Sequence, residues 1–496
     1  MNNMDTDYKV LILNLPSPQN QTLWRDTAGG YGTSLHYPSN VKVNSSTPLH
    51  PFLPYAASVL GDAGIEFSVI DCQRLGLNNH QTIEIAKKIS PNIIFSIISL
   101  PSMHNDLEVL NAIAKSIQNV TTIGVGTVCR VMPDEVLSKN KIDLLLRNSY
   151  PYINGMIELI KTLQKANPPK NLDGISYAAN GQIINTSDLP EFEFDKLPNP
   201  NYDCIPLEGY DTFPDKFGHR RPYVLIVDSK GCPYGCVYCA YPLGYGRKFT
   251  FRSPSQIVDE IEYLHQKRGI NIFAFKGQSF AYNKTHAKMV CDEIKNRKLE
   301  ITWFCESRVD EVNQEYLTRM KEAGCERIHY GVETGDIATL KIAKPGVTLE
   351  ITKKAFRITK MNNIATQAHV VLGWPDDTRE TLENTRKFLL DLDPDVLNLN
   401  FLTPYPGTKI YDLACEKSLL LTRNWSNYTS HSVVMRTKSL NADQLYAIKN
   451  RIIRDFSLRK IETLLSDHYF QNLNSPQQFV GRMRALVNKA LFPSLD

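Results

Sequence analysis

The feature that most narrows the fold is a rhythm. Between Val10 and Leu163, short apolar runs (VLILNLP, FSVID, NIIFSIIS, TTIGVG, IDLLL) alternate with amphipathic stretches of helix length, the last placing Ile153, Met156, Ile157, Ile160 and Leu163 on one face. Strands separated in this way run parallel, because each connection is long enough to form a helix that packs back on the sheet. An open parallel sheet takes ligands at the carboxyl ends of its strands, so the loops after Pro16, Ser99 and Gly126 are expected to meet at one crevice. A second series follows, with YVLIVD, INIFAF, ITWFCE, RIHYGVE, TQAHVVLG and VLNLNFL each separated by a helix-length segment. Six such units predict an open, partial (β/α)6 barrel rather than a closed eight-unit one. Its first helix has a start signal in Ser253 followed by Pro254. Between the two series, KANPPKNLDG, a hairpin in ISYAANGQIIN and the Pro-rich LPEFEFDKLPNPNYDCIP read as a connector. The expected organisation is α/β: a doubly wound domain over 1–165, a connector over 166–221, the barrel over 222–415 and a polar helical region over 416–496.

With 496 residues, 42% of them hydrophobic, the chain can bury large cores. Its 56 Lys plus Arg against 52 Asp plus Glu leave a formal charge of only +4, scattered along the sequence, which argues against a nucleic-acid partner. No apolar run is long enough to span a membrane, and MNNMDTDYK is no secretory leader, so a soluble cytoplasmic protein is expected. Ten cysteines, seven of them isolated, do not form a disulfide framework.

The other three cysteines carry the chemistry. SKGCPYGCVYCAYPLGYGRK sets Cys232, Cys236 and Cys239 in a CxxxCxxC spacing after a predicted strand, in a loop softened by Gly231 and Gly235. Three soft ligands can converge there on an iron–sulfur cubane, and with no fourth cysteine nearby one iron stays open to an exogenous ligand. A zinc site would need a fourth ligand brought in by the fold, with Cys204 and His219 distant in sequence; three unrelated buried thiols are the remaining alternative.

This loop, with Tyr238 just before the last cysteine, resembles that of the radical S-adenosylmethionine (SAM) superfamily. GVETG at 331–335, VVLGWPDDTRETLENT at 370–385 and FLTPYPGT at 401–408 resemble the subgroup with an N-terminal cobalamin-binding domain, which includes the class B methyltransferases. The connector phrase LPNPNYDCIPLEGY and the C-terminal tail are similar too, so the likeness spans nearly the whole chain. It implies a [4Fe-4S] cluster on the three cysteines, SAM chelating the open iron, and cobalamin as a further cofactor. It also implies an external electron donor of flavodoxin or ferredoxin type. The substrate would be a small or lipid-like molecule, methylated at an unactivated carbon or a phosphorus centre. Alternatives are an oxidative cyclase or rearrangement enzyme without methyl transfer, and a non-catalytic cobalamin sensor.

For SAM contacts the likeness implies Tyr238, Glu333 and Arg308. Where the subgroup has acidic residues after the second barrel strand, this chain has Gly277 and Gln278, and Gln278 keeps a carbonyl acceptor. His329 and His369 are expected to be satisfied core residues. In the first domain the DxHxxG signature of a cobalt-ligating histidine is absent, which leaves His36 as a candidate on the loop WRDTAGGYGTSLHYP. Gly29, Gly30 and Gly32 on that loop would let a flat macrocycle approach the backbone. Ser99, Gly124, Gly126 and Thr127 would surround its nucleotide tail. The two crevices should face each other across an enclosed cavity capped by Trp24–Tyr31.

Overall fold

The structure is a computed structural model describing residues 8–36, 47–139, 141–167, 169–190, 192–210, 213–214 and 220–465, together with 483, 486, 487 and 490. The expected helical character of the rest of 466–496, and His219, lie outside the described residues. No described helix is long and apolar enough to cross a membrane.

The first sheet has seven strands. Glu66–Asp71, Lys9–Asn14, Ile93–Ile97, Thr121–Val125 and Leu144–Leu146 lie side by side in parallel, with the first strand between the second and third. The hairpin Ile175–Ala179/Gln182–Asn185, which the sequence placed in the connector, extends this sheet antiparallel from Leu144–Leu146. Its alternation signals a strand, but nothing local says which edge it will join. The second sheet has six parallel strands in sequence order: Val224–Ile226, Ile272–Phe275, Thr302–Ser307, Cys325–Glu333, Ala365–Leu372 and Val396–Phe401. This is the open barrel, and its first helix is capped as expected, the Ser253 hydroxyl accepting from the Gln256 amide.

One apolar core runs through both sheets. Val10, Ile12 and Phe95 of the first sheet join Val224, Phe273 and Ile328 of the second through connector residues Phe194, Leu197, Tyr202 and Tyr210. The later part of the connector thus buries apolar side chains between the sheets while its polar residues stay exposed, and Pro-rich sequence suits it because irregular backbone can follow that surface.

A second hairpin, Gln21–Trp24 paired with Thr33–His36, leaves the first sheet at the carboxyl end of its first strand. Arg25, fully buried, ties it down. Its guanidinium grips Asp106 in a fork at 2.8 and 2.9 Å and donates to the carbonyls of Leu15 and Ile97 at 3.3 and 3.2 Å. Bidentate geometry of this kind is what makes a buried pair tolerable.

Candidate functional site

The two working faces confront each other. Between them lies a cavity of about 380 Å³, lined on the barrel side by Cys232, Cys236, Tyr238, Cys239, Gln278, Arg308 and Glu333 and on the other by Thr27, Ala28 and Thr33 of the hairpin. Every residue singled out from the barrel sequence therefore reaches one space.

The cysteine loop is held open by its glycines and a short ribbon, Ser229–Lys230 against Thr250–Phe251. Gly231 has φ +90°, and a Cβ there would sit 2.0 Å from the Lys248 carbonyl, so no other residue fits. The Cys232 amide donates to Gly246 at 3.0 Å and that of Cys239 to Cys236 at 3.2 Å. Burial pushes all three thiols up, with neighbouring thiols adding to the effect at Cys232 and Cys239 and the Glu333 carboxylate at Cys236. Left alone they stay protonated; the positive charge of bound iron is what would make them thiolates. Among the described residues, no three His, Cys, Asp or Glu side chains stand close enough together to hold one metal ion. Three soft sulfur donors on one short loop are a donor set that suits an iron–sulfur cluster.

Around the cysteines the strand period sets which side chains face the lumen. Glu333 ends its strand in the left-handed region, φ +66°, beside a register shift after Gly331. Such a conformation is costly for Glu and recurs at functional sites. Its carboxylate pairs with buried Lys344 at 3.3 Å. The Lys344 ammonium also donates to the Gly331 carbonyl at 2.8 Å. Arg308 is held by Asp310 at 2.9 and 2.8 Å and lies 3.8 Å from the Tyr234 ring centroid. Both charged residues are thus ion-paired within the protein while bordering the cavity. Gln278 differs: its Oε1 is buried without a partner, an acceptor waiting for a donor. Tyr238 packs edge-on against Trp374 at 5.3 Å, and burial, with the Glu333 carboxylate beside it, pushes its hydroxyl up.

The structure corrects the reading of His329 but keeps His369 satisfied, its ring nitrogens meeting Gln367 at 3.0 Å and Asn398 at 3.3 Å. His329 and His369 face the lumen and line the same cavity. Strand register sets Glu306 beside His329 and His369 beside Asn398, so four neighbouring strands contribute a polar layer. His329 Nε2 is buried without a partner, and burial, reinforced by His369, drives its pKa well below the ordinary value, keeping the ring neutral. Barrel interiors are normally filled by branched aliphatics, and the i, i+2 spacing of His329, Gly331 and Glu333 was the signal that could have found this layer. Cys305, by contrast, points away from the lumen and is buried with Cys291 and Cys325 in the apolar core.

In the first domain the glycines have a different neighbour from the one expected. A Cβ on Gly29, φ +69°, would lie 2.5 Å from the Ala240 backbone, directly after Cys239; one on Gly30 would lie 2.2 Å from the Tyr152 hydroxyl and 2.4 Å from that of Thr127. The Thr127 hydroxyl donates to the Gly29 carbonyl at 2.6 Å, and Tyr31 stacks on Tyr405 at 5.1 Å while donating to the Pro406 carbonyl. Close approach is used, but by the barrel's own loop. Ser99 and Gly126 are buried beneath the hairpin, Ser99 with an unpartnered hydroxyl, and Gly124 packs against Leu145 within the sheet. His36 sits exposed at the far end of the hairpin. The residues named for cobalamin, Gly124 apart, thus pack against the hairpin and the barrel's cysteine loop at the face where the two domains meet.

This packing gives a direct expectation. Gly29→Ala must hold positive φ and displace backbone, costing about 3 kcal/mol. Gly76→Ala, with φ +63° but nothing within 4 Å, costs only ~1 kcal/mol. Urea unfolding of the two variants measures the difference; equal losses would contradict the contact with Ala240.

The radical SAM superfamily profile matches residues 226–389. An uncharacterized methyltransferase of Pyrococcus horikoshii is 30% identical over 424 residues, covering 84% of this chain and 90% of that protein. An anaerobic magnesium-protoporphyrin IX monomethyl ester cyclase of Cereibacter sphaeroides is 24% identical over 82% of this chain and 67% of its own. Among solved structures, the methyltransferase TsrM of Kitasatospora setae, with cobalamin and a [4Fe-4S] cluster bound, superposes with a TM-score of 0.70 at 15% identity, covering 98% of this chain and 100% of that one. The cobalamin-dependent radical enzyme OxsB, with aqua-cobalamin and SAM bound, gives 0.74 at 15% identity over 98% and 71%. The chain belongs to the radical SAM superfamily of enzymes and has the two-domain fold of its cobalamin-dependent members.

Proposed function

We propose that the chain holds a [4Fe-4S] cluster on Cys232, Cys236 and Cys239 and binds SAM beside it in the interdomain cavity, to act on an unactivated carbon or a phosphorus centre of a small or lipid-like substrate. The observation that carries this reading is the convergence of the cysteines, Gln278, Arg308 and Glu333 on one space of about 380 Å³, a size suited to a ligand of SAM's bulk. The bound cluster supplies the electron that splits SAM into methionine and a hydrogen-abstracting 5′-deoxyadenosyl radical. The protein's own part is to bind, orient and exclude water. Gln278 Oε1 accepts from an N–H of the SAM amino group, and Glu333, fixed by Lys344, accepts from ribose hydroxyls. Arg308 offers the guanidinium edge left by Asp310 to the SAM carboxylate. The neutral His329 and its polar layer meet the substrate's hydrogen-bonding groups at the floor of the lumen. The interface excludes water through stacked rings such as Tyr150 on Tyr245 at 4.3 Å.

Methyl transfer is the reaction suggested by the relatives named as methyltransferases. A second reading, radical chemistry without methyl transfer, is favoured by the relative named as a cyclase, 24% identical over 82% of this chain. Anaerobic incubation with SAM and a low-potential reductant is expected to yield 5′-deoxyadenosine, with Gln278→Leu lowering the rate about tenfold through loss of one hydrogen bond. SAM labelled in its methyl group then separates the two reactions: label in substrate, with S-adenosylhomocysteine as co-product, means methyl transfer, and label found in methionine alone means none. No 5′-deoxyadenosine at all would refute both.

A further inference from the structure

We propose that the outer face of the cysteine loop is the docking surface for a small acidic flavoprotein that delivers one electron at a time. The inference rests on the cluster reading above and adds where the electron enters. The loop reaches the surface, with Pro233 and Gly235 exposed at its tip. Gly246, whose carbonyl accepts from the Cys232 amide at 3.0 Å, is followed directly by two exposed cations, Arg247 and Lys248. Phe249 stacks on Tyr282 with ring centroids 4.4 Å apart, which brings the start of the Lys284–Asn296 helix alongside. There Lys284 and Lys288, one turn apart, are also exposed.

None of these four cations has a salt-bridge or hydrogen-bond partner among the described residues. Elsewhere on the barrel surface Lys295, Arg297, Arg319, Lys321 and Lys353 are ion-paired, whereas exposed Lys298 and Lys354 have no partner among the described residues, so it is the grouping of the four beside the loop tip that sets this face apart. An unneutralised group of like charge beside a loop tip is unfavourable for the free protein and serves an anionic partner by steering it to the surface. Tyr282 and Met289, 39% and 52% exposed, give the same face the aromatic and thioether contacts of a transient interface. The step is a one-electron transfer: the carrier is oxidised by one electron and the cluster reduced from its 2+ to its 1+ state, with no bond made or broken until SAM is cleaved.

The test compares two reductants on the full reconstituted chain, reduced acidic flavodoxin and the small methyl viologen radical cation, with 5′-deoxyadenosine formation as readout. Arg247→Glu combined with Lys248→Glu is expected to slow the flavodoxin-driven rate at least ~10-fold at low ionic strength, an effect that fades in 0.5 M salt, where the screening length is only a few Å (about 3 Å at 1 M), and to leave the viologen-driven rate unchanged or raised. Lys161→Glu with Lys165→Glu, exposed on and just past the Met156–Gln164 helix of the first domain, should change neither rate. Equal slowing with both reductants, or no slowing with flavodoxin, overturns the docking surface while leaving the enzyme reading intact. Absence of viologen-driven cleavage by the unaltered chain overturns the enzyme reading and the docking surface with it.

Discussion

A chain carrying Cys232→Ala, Cys236→Ala and Cys239→Ala together, reconstituted anaerobically, is expected to hold no iron and no acid-labile sulfide, against about four of each in the unaltered protein. SAM cleavage should fall to background. The expectation follows from placement: the three thiols border one cavity, and burial keeps each protonated unless iron is present. Isolated thiols in an apolar setting would instead pack as small hydrophobes, and their loss would change only stability. Iron and sulfide analysis beside circular dichroism separates the outcomes. A variant that keeps its cluster, or an unaltered protein with one zinc and no sulfide, would refute the assignment.

The largest effect on stability is expected from Asp106→Ala. Arg25 and Asp106 have side-chain exposures of 1% and 0%, so removing the carboxylate leaves a guanidinium buried without its counter-charge. It also strands the Ser102 hydroxyl, which donates to Asp106 at 2.7 Å. Breaking a buried pair in this way costs about 3–5 kcal/mol, a large share of the 5–15 kcal/mol typical of a folded domain. Because the pair anchors the Gln21–His36 hairpin over the crevice, the loss should appear as a lower urea midpoint and as faster proteolysis near Trp24. A loss under about 1 kcal/mol would mean that the hairpin is not held by this contact.

Much of this architecture is legible in the sequence because its signals are local. Strand and helix periods, the Ser253 start and the cysteine spacing each depend on residues within a few positions of one another, and the family likeness links them. Three features depend on contacts between distant segments, which no local pattern encodes. The hairpin at 175–185 reads as a hairpin, yet its pairing with Leu144–Leu146 follows from the exposed edge of a sheet built elsewhere. Gly29 and Gly30 announce close backbone approach without saying to what, and the answer, Ala240 and Tyr152, comes from domain docking. His329 and His369 sit in strands with many apolar residues, and only the pairing of neighbouring barrel strands turns their faces into a shared polar layer. Arg308 and Glu333 were identified as charged site residues, but their partners Asp310 and Lys344 emerged only with the fold.

The central claim is that three cysteines leave one iron open to SAM at the mouth of the barrel. Electron paramagnetic resonance of the reduced, reconstituted full chain, with and without SAM carrying 15N in its amino group, tests it most directly. The account predicts a changed g-tensor on adding SAM and a nitrogen hyperfine coupling that follows the isotope, since the amino nitrogen would bind iron itself. A cluster spectrum indifferent to SAM, with no isotope-dependent coupling, would contradict it.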